Sequence, residues 1–166
     1  MKALFVGRFQ PFHNGHLKAI DYVSRIADSI VIGVGSSQES NTLENPFSYE
    51  ERKEMIEKSL KVPAAKFSVH PIPDFGDEAK WVAYIRANLP AFDTVFTNAP
   101  REKKIFRNAN VPVLSVPLYD RTLCNATDIR RKMSSKDKWE ALVPKETASV
   151  IKKAGGVGRI TKLVLA

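Results

Sequence analysis

Two hydrophobic rhythms alternate along this chain. Residues 3–6 (Ala-Leu-Phe-Val) and 29–34 (Ser-Ile-Val-Ile-Gly-Val) are almost uninterrupted apolar runs. Such runs mark strands buried on both faces, the habit of parallel sheets. Residues 66–69, 94–97 and 113–116 repeat the pattern in shorter form and predict three further strands. Between them apolar residues recur at threes and fours, as at Leu17, Ile20, Val23 and Ala27, and again at Trp81, Val82, Ile85 and Leu89. That spacing is helical. Ser48 followed three residues later by Glu51 predicts a capping box at the start of another helix, just after Pro46-Phe47. A basic helix is expected over 101–108 and a further helix from Thr127. Shorter helices are expected near 138–142 and 145–154, with Gly155-Gly156 ending the last.

Strands alternating with helices predict an α/β protein: a doubly wound, Rossmann-like parallel sheet of about five strands with flanking helices and a C-terminal helical segment. At 166 residues one domain is expected over 1–166, with the α/β core at 1–133 and a helical extension at 134–166. No apolar run reaches the length of a membrane span, and the first strand lacks the features of a secretory signal. The single Cys124 cannot form an internal disulfide, which suits a reducing cytoplasm. With 26 Lys+Arg against 18 Asp+Glu, the net charge of +8 attracts polyanions, nucleic acids and nucleoside triphosphates alike. The basic clusters are also what solvated helix faces look like, so charge alone does not choose a ligand.

The chemistry concentrates in Gly7-Arg8-Phe9-Gln10-Pro11-Phe12-His13-Asn14-Gly15-His16, between the first strand and the first helix. α/β sheets bind ligands at such strand-to-helix turns. The helix start offers N–H groups and partial positive charge to a phosphate. His13 and His16, three apart, can face one side of a turn, and Arg8 adds a forked cation. Metal ligation or plain packing are the other readings of the histidine pair. For zinc, His70 and Cys124 offer no convincing third ligand. The polar loop from Ser36 through Gln38 to Thr42 can hold a phosphate or ribose, or simply be solvated. Arg52, on the first turn of its helix, calls for an anionic partner, with Glu44, Glu50 and Glu51 nearby in sequence. Trp81, taken alone, reads first as a core residue on its helix's apolar face and second as a ring for stacking on a flat heterocycle. Thr127 is placed to cap the helix that carries Ile129 and Arg130, leaving its N–H groups for a triphosphate.

These residues resemble a known family. His13-Asn14-Gly15-His16 after a first strand is similar to the signature of the nucleotidylyltransferase superfamily. The longer run from Gly7 to Leu17 resembles the archaeal-type nicotinamide mononucleotide (NMN) adenylyltransferases, as do the Asn45–Arg52 segment, a Trp81-Val82 pair after a Pro-Asp loop, and the Asn98-Ala99-Pro100 turn. Thr127, Ile129 and Arg130 match a second superfamily signature, in which Asn125 and Ala126 replace the usual Ser and Gly. If that Gly position needs a left-handed backbone, Ala126 would be strained. Asp77-Glu78 departs from the amide-containing stretch expected before the tryptophan. Val157-Gly158-Arg159-Ile160 resembles the family's C-terminal segment and reads as packing or subunit contact.

The resemblance implies adenylyl transfer from ATP to NMN, giving NAD and pyrophosphate. It implies catalytic roles for Arg8, His13, His16 and Arg130. ATP would be held by Gly7, Arg8, Phe9, Gln10, His13, Gly15, His16, Asn98, Thr127, Ile129 and Arg130, and NMN by Ser36, Gln38, Arg52 and Trp81. Mg2+ would ride on the ATP phosphates with no dedicated protein ligands, in a cytoplasmic homo-oligomer engaging neither membrane nor nucleic acid. Other acceptors on the same fold, such as phosphopantetheine or nicotinate mononucleotide, are the nearest alternative. A nucleic-acid-binding or regulatory protein is a remote one, because the aromatics do not interleave with the basic clusters.

Overall fold

The computed structural model describes residues 1–119 and 125–166. Cys124 and the Asp120-Arg121 stretch therefore lie outside the described residues. Among the described residues there are five strands, β1 (Lys2–Gly7), β2 (Ser29–Val34), β3 (Phe67–Pro71), β4 (Thr94–Phe96) and β5 (Val113–Leu114). Its helices are α1 (Asn14–Ile26), α2 (Tyr49–Ser59), α3 (Glu78–Asn88), α4 (Pro100–Asn108), α5 (Ala126–Ser134), α6 (Lys145–Lys153) and α7 (Gly156–Leu165). Two compact units are made from interleaved stretches of chain. One comprises Met1–Gly7, Ala19–Ser37 and Lys61–Pro117; the other comprises Arg8–Lys18, Gln38–Leu60 and Leu118–Ala166.

The first unit holds the sheet, in the order β3-β2-β1-β4-β5 with every pairing parallel. The winding reverses between β1 and β4, so the carboxyl ends at Gly7 and Thr97 flank the switch point where α/β sheets take their ligands. Leu4, Val6, Val31 and Val95 pack with Val82, Ile85, Ile105 and Phe106 of α3 and α4. The alternate positions Ala3, Phe5, Ile30, Ile32 and Phe96 are buried as well, which explains why the strands read as continuous apolar runs. Gly33 interrupts β2 for a steric reason. A Cβ there would collide with Cδ1 of Ile72, a side chain that is itself fully buried.

The second unit is helical. α2 packs on α6, and α5 and α6 pack on α7. Its apolar filling includes Phe47, Met55, Ile56, Ile129, Met133, Trp139, Ile151 and Ile160. Ser59 and Thr147, both fully buried, satisfy each other through a 3.0 Å hydroxyl pair. Gly155 takes a left-handed turn (φ 64°) between α6 and α7, the backbone a helix end of this kind asks of glycine.

Candidate active site

The run leaving β1 does not pass straight into a helix. Phe9 has φ 53°, a left-handed conformation unusual for a bulky residue. Its ring is buried and meets the His16 ring edge-on, 4.8 Å between centres. Phe12, also buried, lies against His16 at 5.6 Å. Gln10 ties the turn to a distant strand of chain, its side-chain amide donating to the Phe47 carbonyl and accepting from the Phe47 N–H, each at 2.9 Å.

His13 and His16 then close the turn on each other. The Nδ1 of His13 accepts from the backbone N–H groups of Gly15 (3.1 Å) and His16 (3.3 Å). The Nδ1 of His16 accepts from the N–H of His13 at 3.2 Å. The two residues form a reciprocal cap on α1, with imidazoles where a hydroxyl and a carboxylate would ordinarily stand. The rings stack with centres 3.6 Å apart. Burial pushes the His13 pKa down to about 4, against its own backbone hydrogen bond, and burial followed by the charge of His13 lowers His16 well below its ordinary value. Both rings are therefore neutral at neutral pH. With each Nδ1 accepting, the single proton of each ring sits on Nε2, and among the described residues neither Nε2 has a protein partner. The turn presents two N–H donors side by side.

Two arginines complete the arrangement. Arg130, on α5, donates from Nη1 to the Gln10 carbonyl (2.9 Å), from Nε to the Leu43 carbonyl (3.1 Å) and from Nη2 to the Thr127 hydroxyl (3.3 Å). Burial, then the like charge of Arg8, lowers its pKa, while Glu44 opposes the shift. A guanidinium nevertheless stays protonated. Arg8 is exposed, and its carbonyl accepts from Arg52 at 2.9 Å. Two cations and two neutral N–H donors in one unit make a site for a polyanion. Among the described residues no three His, Cys, Asp or Glu side chains are grouped to hold a metal. The donor set suits phosphate oxygens, so a divalent ion would enter on the phosphates.

Known proteins give the family of the chain. The profile of the cytidylyltransferase-like family matches residues 4–132. A nicotinamide-nucleotide adenylyltransferase of Thermococcus sibiricus is 42% identical over 166 residues, covering 98% of this chain and 89% of that protein. One from Methanocorpusculum labreanum is 40% identical over 162 residues, covering 98% of this chain and 96% of that one. The chain belongs to the nicotinamide-nucleotide adenylyltransferase family. Two solved structures of a bifunctional NMN adenylyltransferase/ADP ribose pyrophosphatase from Francisella tularensis share the fold. One, complexed with AMP and a manganese ion, has a TM-score of 0.77 at 23% identity, covering 99% of this chain and 52% of that one. The other has a TM-score of 0.75 at 26% identity, covering 86% and 44%. The chain thus spans about half the length of those two proteins.

Several side chains singled out in the sequence have partners that local spacing does not announce. Arg52 is fully buried, and its guanidinium donates to the carbonyls of Ser48 (3.1 Å) and Arg8 (2.9 Å). The carboxylate of Glu51 is forked by Arg159, at 2.7 and 2.9 Å. Asn125, and not Thr127, caps α5, its Oδ1 accepting from the N–H groups of Thr127 (2.9 Å) and Asp128 (3.3 Å). An asparagine carbonyl reaches N2 and N3 from one residue before the helix. Ala126 is the first residue of α5 and has no left-handed backbone, so the absent glycine causes no strain. The α1 start also differs from the expected open cradle. The N–H groups of 13, 15 and 16 are taken by imidazoles, which pass the helix's positive end on through Nε2.

In the first unit, Asn98 bridges to Val116 twice, donating from Nδ2 at 2.9 Å and accepting on Oδ1 at 3.2 Å, which fixes the turn after β4. Trp81 is half-buried on α3 with its ring 5.5 Å from that of Phe106. Ser36 follows β2 in a left-handed conformation (φ 46°), and Gln38, in the second unit, is exposed. Asp77 caps α3 through the N–H of Lys80 (2.9 Å), and Glu78 lies 3.5 Å from the Arg101 guanidinium. No helix among the described residues is long and apolar enough to cross a membrane. Sequence reasoning missed Arg159 and the two-point clasp of Gln10 on Phe47, because each joins residues far apart in the chain without a local spacing to announce it.

Proposed function

We propose that this chain transfers the adenylyl group of ATP to nicotinamide mononucleotide, giving NAD and pyrophosphate. The observation that carries the reading is the pair of stacked imidazoles, His13 and His16, whose Nδ1 atoms accept from the main chain and leave each Nε2–H as a donor, in the same unit as Arg8 and Arg130. The names of its relatives support the choice of substrates. In the reaction a phosphate oxygen of NMN bonds to the α-phosphorus of ATP. The bond from that phosphorus to the α–β bridging oxygen breaks, and pyrophosphate departs with the electron pair. A phosphate monoester has a second pKa near ~6, so the attacking group is already ionised at neutral pH and needs no general base. The protein's task is alignment and stabilisation of the charge moving onto pyrophosphate.

His16 is assigned to the α-phosphate, and His13, Arg8 and Arg130 to the outer phosphates. Gly7, Phe9, Gln10 and Gly15 shape the turn that carries them, and Thr127 and Ile129 place Arg130. Asn98 holds its turn for the nucleotide. Trp81 is assigned to the nicotinamide ring, and Ser36 and Gln38 to polar contacts with the acceptor. Arg52 acts on ligand through the Arg8 carbonyl it holds. A magnesium ion carried in on the ATP phosphates would supply further charge neutralisation beside His13, His16, Arg8 and Arg130. The expected working form is a cytoplasmic homo-oligomer. Incubation with ATP and a panel of NMN, nicotinate mononucleotide and phosphopantetheine, with pyrophosphate as readout, tests the assignment. Fastest release with NMN is expected. Release with another acceptor alone would move the protein to a sister activity, and release with none would end the reading.

A further inference from the structure

We propose that Arg159, on the last helix, is a positioning residue for the nucleotide-binding turn. The inference rests on the adenylyl-transfer reading above and extends it to a segment without any contact to substrate assigned. Arg159 forks onto Glu51 and also donates from Nη1 to the Pro46 carbonyl (2.8 Å) and from Nη2 to the Ala154 carbonyl (3.2 Å). Its guanidinium carbon lies 5.9 Å from the centre of the Phe47 ring. The same helix presses on Phe47 at its start, where a Cβ on Gly156 would come within 2.7 Å of the ring. Phe47 is fully buried, and both of its backbone polar groups are held by the Gln10 side chain.

Residues 43–47 are thus fixed at three points. Arg130 holds the Leu43 carbonyl, Arg159 the Pro46 carbonyl and Gln10 both polar groups of Phe47. Two of those three residues belong to the nucleotide site, and Arg130 also holds the carbonyl of Gln10 itself. The segment is a splint whose far side rests on Arg159. Glu51 links that splint to α2, because its Oε2 accepts from the Ser48 N–H at 2.9 Å as well as from Arg159. Loss of the Arg159 donors frees the Pro46 carbonyl and the Glu51 carboxylate, lets Phe47 shift, and slackens Gln10 and, through it, the turn bearing His13 and His16. A small misplacement of groups aligned for in-line transfer is costly to rate.

The test uses the full-length protein with R159M, which removes the donors, and R159K, which keeps the charge and loses the fork. Hydrogen exchange is followed by mass spectrometry, and steady-state kinetics are measured well below the unfolding temperature. For R159M the amides of residues 8–17 should exchange faster along with those of 43–48. Its kcat/KM for ATP should fall about tenfold or more, with KM for NMN unchanged and R159K intermediate in both readouts. Exchange at 8–17 equal to wild type would overturn the relay whatever turnover does. Faster exchange with wild-type kcat/KM would overturn the positioning role. If R159M does not fold, the same two criteria apply to R159K. A wild-type protein that shows no adenylyl transfer, yet exchanges faster at 8–17 as R159M, would remove the function and keep the relay.

Discussion

Helices α1 and α2 begin with the same reciprocal device built from different residues. At α2, Ser48 Oγ accepts from the Glu51 N–H (3.2 Å) while Glu51 accepts from the Ser48 N–H (2.9 Å). At α1, His13 and His16 make the same exchange through their Nδ1 atoms. The first cap ends in a carboxylate neutralised by Arg159 and has nothing left to offer a ligand. The second ends in two rings that each keep an N–H pointing away from the bonds they have made. The difference teaches that one local geometry serves stability or binding according to whether the capping group has a second functional atom. Serine and glutamate spend their polarity within the cap, whereas imidazole has two nitrogens and spends only one.

The comparison breaks most sharply at His16. Replacing it with Ala removes one donor aimed at developing charge and should lower kcat about a hundredfold or more, measured by pyrophosphate release. Near-full turnover would detach the α1 cap from catalysis. A second change rewrites α1 in the language of α2: the double substitution His13→Ser with His16→Glu. The reciprocal cap is kept, so unfolding free energy at pH 7 should stay within about 1 kcal/mol of wild type. Adenylyl transfer should nonetheless be lost as fully as in His16→Ala, and retained transfer would show that the cap alone suffices.

The third contrast is one of pH. Burial holds the His13 pKa at about 4 when folded, beneath the roughly 6.5 of an unfolded chain. As pH falls the unfolded chain is protonated first, so stability is complete above about 6.5 and drains away towards about 4. His13 alone should account for about 2 kcal/mol of loss between pH 7 and pH 5, seen as a drop in denaturant midpoint. His16 adds in the same direction. Glu51 also loses its contribution on acidification, but lower on the pH scale. Burial would raise its pKa, but the hydrogen bond from Arg159 and the Ser48 N–H outweigh it and the net shift is downward. Its contribution is therefore intact above the ordinary carboxylate range and fades only as pH falls through the lowered value. The double substitution should flatten the loss between pH 7 and pH 5. The smallest effect belongs to Ser48→Ala, which should cost about 1 kcal/mol of stability and leave kcat within about twofold.

Much of the frame was legible because its causes are local. Strands covered on both faces must be apolar at every position, so β1 and β2 announced themselves, and the Ser48–Glu51 cap followed from a spacing of three. His13 and His16 were legible as a pair on one face of a turn. Their capping role was not, since histidine is an uncommon cap and the pattern of hydroxyl or carboxamide residues gives no hint of it. Thr127 drew attention by type, while Asn125, two residues earlier, had the better reach. Arg52 was read for its charge, and its hold on main-chain carbonyls went unread because a sequence shows charges and hides carbonyls. Its bonds include those to the backbone carbonyls of Ser48 and Arg8, the latter 44 residues away. Arg159 sat in a stretch read as packing. Its partner Glu51 lies 108 residues upstream, and no periodicity reports a contact that long.

The engaged Nδ1 atoms have a consequence for the rate of turnover across the alkaline range. An imidazole whose lone pair already receives a backbone N–H takes up another proton only in acid, so above neutrality neither ring shuttles one between substrate and solvent. Each behaves as a fixed dipole, its orientation set by the main chain before any ligand arrives. Above neutrality the chemistry should accordingly follow the ionisation of the nucleotides themselves, with no inflection contributed by histidine.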